Sequence, residues 1–341
     1  ADLEDWVTIS SRSYAATGLG AGDAIVSTYN AGPFVAGAAL EAFSRLGACH
    51  IPVGTGNTER LMSAVRLLRP RVLACTPSYA QTLAEEFARR GIAPDQIPLR
   101  YGILGAEPWT EAIRQDVERG LGIQATNIYG LSEVIGPGVA NEAVGEGEGS
   151  YVWEDHFYPE VLDPDTGEPV PDGQDGVLVI TTLTKEALPL LRFWTGDITS
   201  LTREPGPSGR THARIGMIRG RTDDMLIVRG VNVYPTQIEA ALQDLPHASP
   251  HYQLVVRRER TLDEVELRLE VDQATFASLG VSPQGDGALT SEDPVDRLAR
   301  EVAHKIRDNV GIGVKVTLLA PGAAPRSAGG KLRRILDERK L

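Results

Sequence analysis

The sequence contains little cysteine and no long apolar run. Its 341 residues include two cysteines, Cys49 and Cys75, each in or beside a short apolar stretch. So low a count argues against a disulfide framework, and without a C-x-x-C pair cysteine-bound metal is not expected. No apolar run approaches the roughly 18 residues of a membrane-spanning helix, and no signal peptide opens the printed sequence. We therefore expect a soluble, cytoplasmic protein with buried free thiols.

Positive charge is also scarce. The chain has 34 lysines and arginines against 46 acidic residues, a formal net charge of −12. This balance argues against nucleic acid or an anionic membrane as a partner. One local basic cluster, Lys331, Arg333 and Arg334, needs a separate explanation. With 42% apolar residues, the composition is that of an ordinary globular protein, and the length suits two domains.

Strand and helix signals alternate through the first half of the chain. Leu61, Val65 and Leu68 have helical spacing, and Ser78 with Gln81 fits a capping box in a helix that Gly91 would end. The strand-like runs are "DAIVSTY", "CHIPV", "RVLACT", "LRYGILGAE" and "IQATNIYG". Repeated units of this kind predict a layered α/β domain with a mainly parallel sheet. Ligands of such sheets bind beyond the carboxyl ends of the strands.

The pattern of predicted secondary structure changes twice in the second half of the chain. Residues 145–219 read as β-structure, with turns at 164–167 and 171–173. Beyond them we predict a small α+β domain with a hairpin around "RTLD" and an amphipathic helix that buries Leu298, Val302 and Ile306. "VKVTLLA" is expected to be its final strand, and "SLGVSPQGDGALTSED" to be weakly ordered. The expected domains are residues 1–221 and 222–341, with the polar "GRTDD" segment as a hinge between them.

Three predicted loops carry groups with useful chemistry: "GAEPW", "YGLSE" and "TGD". Tyr129 offers an aromatic face for a base, and Ser132 a hydroxyl for a phosphate oxygen. Glu133 has the hard oxygen that Mg²⁺ prefers, and Asp197 has two acceptor oxygens for a ribose diol. Lys331, in "SAGGK", is a mobile positive charge.

Each of these residues also has a structural explanation. Glu133 would favour a helix N-terminus, Asp197 would suit a turn, and Lys331 would be an ordinary solvated lysine. Taken one at a time, the sequence does not separate the two interpretations.

The motifs "GAEPW", "NIYGLSEVIGPG", "TGDIT", "GRTDDMLIVRGVNVYPTQIE" and "PRSAGGKLRR" occur in this order. Together they resemble the adenylate-forming superfamily of acyl-CoA synthetases and adenylation domains, in particular its phenylacetate–CoA ligase branch. The resemblance runs from about residue 5 to the end of the chain. It implies a large α/β domain and a small C-terminal domain that rotates about a hinge. It also implies ATP and coenzyme A as cosubstrates and Mg²⁺ as the metal ion. An acyl-adenylate would form before the thioester.

The resemblance assigns roles to individual residues. Ala106, Glu107 and Pro108 would line the adenine slot, Asn127 would bond the adenine edge, and Tyr129 would stack on the base. Ser132 would touch the α-phosphate, Glu133 would hold Mg²⁺, and Asp197 would bind the ribose hydroxyls. Lys331 would bridge the carboxylate and the α-phosphate, which accounts for the basic cluster without nucleic acid. The remaining implied positions are Ile128 and Gly130 beside the base, Arg221 at the nucleotide, Asp223 as the pivot, and Arg229 and Gly230 at the thiol tunnel.

Three features depart from the family pattern. The phosphate loop, an S-S-G-T-T-G-like run, is absent from the printed sequence, so either an N-terminal part is missing from this chain or the enzyme is reduced. The expected "RYRTGD" reads "RFWTGD", which places Trp194 where an arginine is usual. Where some relatives bind structural zinc, this chain has Ala143, Ser150 or Tyr151, Gly206 and Ser208, so we expect no zinc.

The acid pocket implied by the resemblance is small and suits a flat aryl acid, such as phenylacetate or a benzoate. Its expected lining is Tyr29, Phe34, Gly105, Gly136, Pro137 and Gly138. The glycines have a second explanation, close backbone packing. Three functions remain open: an AMP-forming aryl acid–CoA ligase, an adenylating enzyme that serves a carrier protein or an amine, and a non-catalytic nucleotide-binding relative. Relatives also suggest a homodimer.

Overall fold

A computed structural model of the chain describes residues 1–29, 37–147, 149–222, 226–228, 231–243, 245–259, 262–327, 332 and 334–339. By the density of internal contacts the chain forms two compact units, the first built by residues 1–222 and the second by most of residues 223–341. No helix in the described ranges is long and apolar enough to cross a membrane.

Five short parallel strands form the first half of a large sheet in the first unit. Their order across the sheet is second, first, third, fourth and fifth in the chain. The third strand, Val-Leu-Ala-Cys, is buried at every position, which is typical of a strand covered on both faces. The strands are β1 (Ala24–Ser27), β2 (Cys49–Pro52), β3 (Val72–Cys75), β4 (Tyr101–Gly105) and β5 (Gln124–Leu131).

Helices cover both faces of these strands. Leu73 and Cys75 of β3 point into a core that α3, α4 and α5 complete, while Val72 and Ala74 point into a second core with α1 and α2. Alternate residues of one strand therefore serve two cores. The helices are α1 (Asp2–Ala16), α2 (Glu41–Arg45), α3 (Thr58–Leu68), α4 (Pro77–Arg89) and α5 (Glu111–Leu121). A short 3₁₀ turn, Ala38–Leu40, precedes α2.

The helix predicted from the spacing of Leu61, Val65 and Leu68 is confirmed. Its buried face consists of Leu61, Met62 and Val65, whereas Leu68 is 58% exposed. The predicted capping box of Ser78 and Gln81 does not form. Helix α4 begins after Thr76 with Pro77 in its first turn, and the Ser78 side chain bonds elsewhere. Gly91 follows the helix end with φ +69°, a conformation that suits glycine.

The second half of the large sheet is antiparallel. The first antiparallel pairing is between β5 and the next strand, which a three-residue turn connects. The parallel sheet predicted for the first half of the chain is confirmed, and the antiparallel strands extend it through the region predicted to be β-structure. The added strands are β6 (Ile135–Asn141), β7 (Ser150–Val152), β8 (Phe157–Leu162), β9 (Asp175–Thr182), β10 (Phe193–Thr202), β11 (Arg214–Ile215) and β12 (Gly220–Arg221). Beyond β5 the order is β6, β7, β11, β10, β9, β8, with β12 on β10.

The second unit has a six-stranded sheet of its own and a separate core. Leu298, Val302 and Ile306 of its long helix are buried in that core, as predicted. The strand "VKVTLLA" is not the last one, because Ile335–Asp337 adds a parallel edge strand. The segment expected to be weakly ordered contains two short paired strands. The elements are β13 (Leu226–Val228), β14 (Val231–Val233), α6 (Pro235–Gln243), β15 (Ala248–Glu259), β16 (Leu262–Val271), α7 (Gln273–Leu279), β17 (Pro283–Gln284), β18 (Ala288–Leu289), α8 (Asp293–Val310), β19 (Lys315–Leu319) and β20 (Ile335–Asp337).

Candidate active site

The end of strand β4 is shaped by a very close approach to β5. A Cβ atom at Gly105 would lie 2.3 Å from the carbonyl oxygen of Ile128, so only glycine fits there. The next residue, Ala106, has φ +71°, which is uncommon for a residue with a side chain. Such backbone outliers occur often at functional sites. Gly105 is therefore explained by close packing of the backbone and does not open space for an acid.

Glu107 joins this strand end to helix α4. Its carboxylate accepts hydrogen bonds from the backbone N–H of Ser78 at 3.2 Å and from the Ser78 hydroxyl at 3.0 Å. A carboxylate is favourable at a helix N-terminus because the first N–H groups lack partners inside the helix. Burial raises the pKa of the neighbouring Cys75 thiol, with Glu107 as a second cause, so this thiol stays protonated and unreactive. Ala106 and Pro108 on either side are exposed.

Tyr129 and Asp197 meet although 68 residues separate them. The Tyr129 hydroxyl donates to Oδ2 of Asp197 at 2.5 Å, and Nη1 of Arg221 donates to Oδ1 at 2.8 Å. Both Tyr129 and Asp197 are buried. Burial, followed by the Asp197 charge, raises the pKa of Tyr129 well above its ordinary value, so the phenol remains a neutral donor. Asp197 meets Arg221 because β10 pairs with β12 at these two residues, and Tyr129 of β5 reaches Asp197 through its hydroxyl.

Asn127 lies in a buried polar network that sequence reasoning missed. Its Oδ1 accepts from the indole N–H of Trp109 at 2.9 Å, and its backbone N–H donates to Glu142 at 2.7 Å. Glu142 also pairs with Arg114 at 2.8 Å, and the Arg114 guanidinium lies 4.7 Å from the centre of the Trp109 ring. The one sequence signal for this network was Trp109, which directly follows the "AEP" residues.

Ser132 and Glu133 occupy the turn between β5 and β6, and both are exposed. The backbone carbonyl of Glu133 accepts from Lys185 Nζ at 2.6 Å. Because this turn joins two antiparallel strands, the alternative of Glu133 at a helix N-terminus does not apply. The Glu133 carboxylate is instead presented at the surface of a tight turn.

The glycines around this hairpin have steric reasons to be glycine. A Cβ at Gly130 would lie 2.7 Å from the Ile135 carbonyl oxygen, and one at Gly136 would lie 3.2 Å from the Leu131 carbonyl carbon. Gly138 has φ +126° and packs against Ser10. The hairpin is also tied to α1, because the carbonyl of Pro137 accepts from the Trp6 indole at 3.2 Å and from Ser10 at 3.4 Å.

Several predicted site residues lie outside the described ranges: Phe34, Asp223, Arg229, Gly230 and Lys331. Tyr29 is half-buried and packs against the core around Tyr14 and Phe43. Burial raises the pKa of Tyr29, with Cys75 as a smaller cause.

The positions expected to replace a zinc site surround Tyr151. Its hydroxyl donates to Glu146, which also pairs with Arg210 at 3.0 Å. A Cβ at Gly206 would lie 1.6 Å from the Tyr151 hydroxyl oxygen, so the ring occupies that space. Among the described residues, no group of three or more histidine, cysteine or acidic side chains has a geometry that would hold a metal ion.

Two depressions on the first unit are lined by none of the predicted site residues. One, of about 420 Å³, is lined in part by Arg71, Arg100 and Tyr101, and the other, of about 380 Å³, by Arg12, Trp153 and His212. Arg71 pairs with Asp23 and Arg12 with Asp155, so their charges are already compensated. We place the candidate site at the strand ends instead, where the predicted motifs converge.

Comparison with known proteins identifies the family of the chain. The family model described as "AMP-binding enzyme" matches residues 8–183, and the model described as "AMP-binding enzyme C-terminal domain" matches residues 230–339. A phenylacetate–coenzyme A ligase of Thermus thermophilus is 57% identical over 99% of this chain and 76% of that protein. The chain belongs to the phenylacetate–coenzyme A ligase family of AMP-binding enzymes.

Further relatives agree with this family assignment. A phenylacetate–coenzyme A ligase of Escherichia coli K12 is 42% identical over the whole of this chain and 75% of that protein. A crystal structure of a 2-hydroxyisobutyryl-CoA ligase in the postadenylation state superposes with a TM-score of 0.85 at 28% identity, over 98% of this chain and 70% of that one. The predicted family, the α/β fold with a large and a small unit, and the class of AMP-forming acid–CoA ligase are confirmed.

Proposed function

We propose that this protein activates an aryl carboxylic acid with ATP, giving an acyl-adenylate and pyrophosphate, and then transfers the acyl group to coenzyme A with release of AMP. The observation that carries the proposal is the Tyr129–Asp197–Arg221 cluster, which joins three separate family motifs at one point of the fold. The similarity to phenylacetate–coenzyme A ligases over nearly the whole chain supports the same conclusion.

The nucleotide is assigned to the ends of β4 and β5 and to Asp197 in the middle of β10, where a strand replaces the predicted "TGD" loop. Tyr129 supplies an aromatic face for the base and Asp197 a carboxylate for the ribose hydroxyls, held in place by Arg221. The exposed Ala106 and Pro108 flank the base, with Glu107 fixed between them by Ser78. Ile128 and Gly130 continue the same strand. A preorganised set of this kind lowers the barrier to nucleotidyl transfer mainly by positioning and charge stabilisation.

Magnesium is assigned to Glu133, with Ser132 at the α-phosphate. The donor chemistry fits, since Mg²⁺ prefers carboxylate oxygens together with phosphates and water. The exposure of Glu133 fits as well, because a metal bound to ATP needs access to solvent. When bound, the ion would neutralise charge on the phosphates.

The acid is assigned to the region between Tyr29 and the hairpin that contains Gly136, Pro137 and Gly138. Tyr29 provides a flat apolar wall. The hairpin residues are assigned to the pocket by resemblance, since close packing already explains the glycines. Phenylacetate is the first candidate because of the named relatives. Phe34 is assigned to the same wall by resemblance.

The family resemblance assigns residues of the C-terminal region to both half-reactions. Lys331 would serve the first, adenylation, and the turn of Arg229 and Gly230 would serve the second, thioester formation. Asp223 would be the pivot between them. Rotation of residues 222–341 would replace Lys331 at the site by the turn of Arg229 and Gly230. This assignment deals with residues outside the described ranges and depends on the motifs alone.

An acid-dependent pyrophosphate-release assay tests the proposal. The purified protein is given ATP, Mg²⁺ and a panel of aryl acids, with and without coenzyme A, and the thioester is detected by mass. We expect release with phenylacetate or a close analogue and a matching thioester. Pyrophosphate without thioester would instead identify an enzyme that serves a carrier protein or an amine. No turnover and no nucleotide binding would identify a non-catalytic relative.

A further inference from the structure

We propose that Trp109 is a positioning residue that fixes the side-chain amide of Asn127 in one orientation, and that this orientation selects adenine over guanine nucleotides. The inference rests on the proposed function and on the family resemblance, which places Asn127 at the edge of the base. It adds a specificity role for a residue that does not itself touch the nucleotide.

The amide orientation follows from hydrogen-bond chemistry. An indole N–H can only donate, and the Trp109 Nε1 lies 2.9 Å from the Asn127 amide, so the oxygen of that amide must face it. The amide nitrogen then faces the other way, where one hydrogen is directed at the Ser150 hydroxyl at 3.4 Å. Both Trp109 and Asn127 are buried, so a flipped amide would place two donors against each other away from water.

Trp109 is itself held rigidly. The Arg114 guanidinium lies over its ring, and that guanidinium bonds the backbone carbonyl of Ala125 at 2.7 Å and the Glu142 carboxylate at 2.8 Å. Glu142 completes the network by accepting a hydrogen bond from the backbone N–H of Asn127. All four side chains of this buried network, Trp109, Arg114, Asn127 and Glu142, are at most 8% exposed. The Trp109 N–H, the Asn127 oxygen and both Glu142 oxygens have partners in this network, which favours one arrangement of the Asn127 amide.

A fixed amide distinguishes the two purines. The second hydrogen on Nδ2, which has no partner among the described residues, offers a donor to a ring nitrogen that accepts, as in adenine. Guanine carries a hydrogen on the corresponding ring nitrogen, N1, so two donors would face each other at that edge. A site built to make such a bond rejects the analogue that leaves its polar groups unpaired.

The test is Trp109→Phe, which keeps a ring beneath Arg114 but removes the N–H. Acid-dependent pyrophosphate release is measured with ATP and with GTP. We expect KM for ATP to rise about five- to tenfold, the loss of roughly one hydrogen bond, with kcat nearly unchanged. The preference for ATP over GTP should fall by a similar factor. Trp109→His, which retains an N–H donor, should restore most of that preference even if it lowers Tm.

The matched control is Trp153→Phe. Trp153 is also buried, donates its indole N–H to a side-chain oxygen, Ser13 Oγ at 2.9 Å, and lies beneath an arginine, Arg12. It should lose similar stability without any change in nucleotide preference. An unchanged ATP to GTP ratio in Trp109→Phe, or an equal change in Trp153→Phe, would overturn the inference. If the native protein releases no pyrophosphate, the proposed function fails first, and nucleotide-induced Tm shifts with ATP and GTP then test the base preference alone.

Discussion

The hydroxyl of Tyr129 donates a 2.5 Å hydrogen bond to the carboxylate of Asp197, on a strand 68 residues further along the chain. Tyr129 belongs to the parallel part of the sheet and Asp197 to its antiparallel part. The bond therefore ties the two halves of the sheet together at the candidate nucleotide site. Changes to this pair should therefore affect both ligand binding and stability.

Asp197→Ala should raise KM for ATP by about 10- to 100-fold, the usual range for losing a hydrogen bond to a charged group. Tyr129→Phe should have a smaller effect, since it keeps the ring. Pyrophosphate-release kinetics measure both. Asp175→Ala is the control, because Asp175 also pairs with an arginine, Arg219, but in an exposed position. Equal effects of the two aspartate changes would contradict the assignment of Asp197 to the nucleotide.

Gly105→Ala should destabilise the protein by about 1–3 kcal/mol or more, because its Cβ would overlap the Ile128 carbonyl oxygen at 2.3 Å. Denaturant unfolding measures the change. Gly20→Ala is the control: its Cβ would meet only the Asp23 side chain, at 3.8 Å. A stable Gly105→Ala protein with altered acid preference would instead favour an open slot at this position.

Glu133→Gln should reduce acid-dependent pyrophosphate release at limiting Mg²⁺ and leave Tm unchanged, because Glu133 is exposed in a turn. A magnesium titration of the rate measures the effect, and the half-saturating concentration should rise. The exposed Glu168 provides a control variant, Glu168→Gln. If the two variants need the same magnesium concentration, Glu133 does not hold the ion.

Lys331→Ala should abolish adenylation but spare thioester formation from a supplied acyl-adenylate, because each half-reaction uses a different set of residues. The two steps are measured separately, by pyrophosphate release and by thioester mass. Lys315→Ala, an exposed lysine on β19, serves as the control. Equal loss of both steps would count against the role of Lys331.

The pH dependence of stability should report on Glu146. Burial opposes its ionisation, but hydrogen bonds from Ser208 and Tyr151 and the charges of Arg210 and Arg214 outweigh burial, so its pKa is lowered. Folding therefore favours the ionised form, and the stabilisation is present above the ordinary pKa of 4.5 and lost as pH falls through the folded-state value.

The variant Glu146→Gln tests the predicted direction of the pH dependence of stability. The Tm difference from the native protein should be largest near neutral pH and should shrink below about pH 4.5, where the carboxylate becomes protonated. Glu168→Gln, in an exposed loop, should show no such trend. A difference that grows on acidification would contradict the lowered pKa.

Local signals predicted most helices and strands of the first unit, and they failed where a distant partner decided the outcome. Ser78 and Gln81 satisfy the capping-box pattern, yet the Ser78 hydroxyl bonds Glu107, 29 residues away. Leu68 has the spacing of a buried residue, but its face of α3 meets solvent. In both cases neighbouring residues alone contain no information about what packs against them.

The sequence by itself determined the family, the order of the motifs and the identity of the groups at the strand ends, because these depend on residue types and short spacings. The tertiary structure decided which of those groups meet. Asp197 meets Arg221 because β10 pairs antiparallel with β12, and Tyr129 joins them from β5 through its hydroxyl. The network of Trp109, Arg114, Asn127 and Glu142 connects α5 to β5. Both depend on contacts between residues far apart in the chain, and only folding brings such residues within hydrogen-bonding distance.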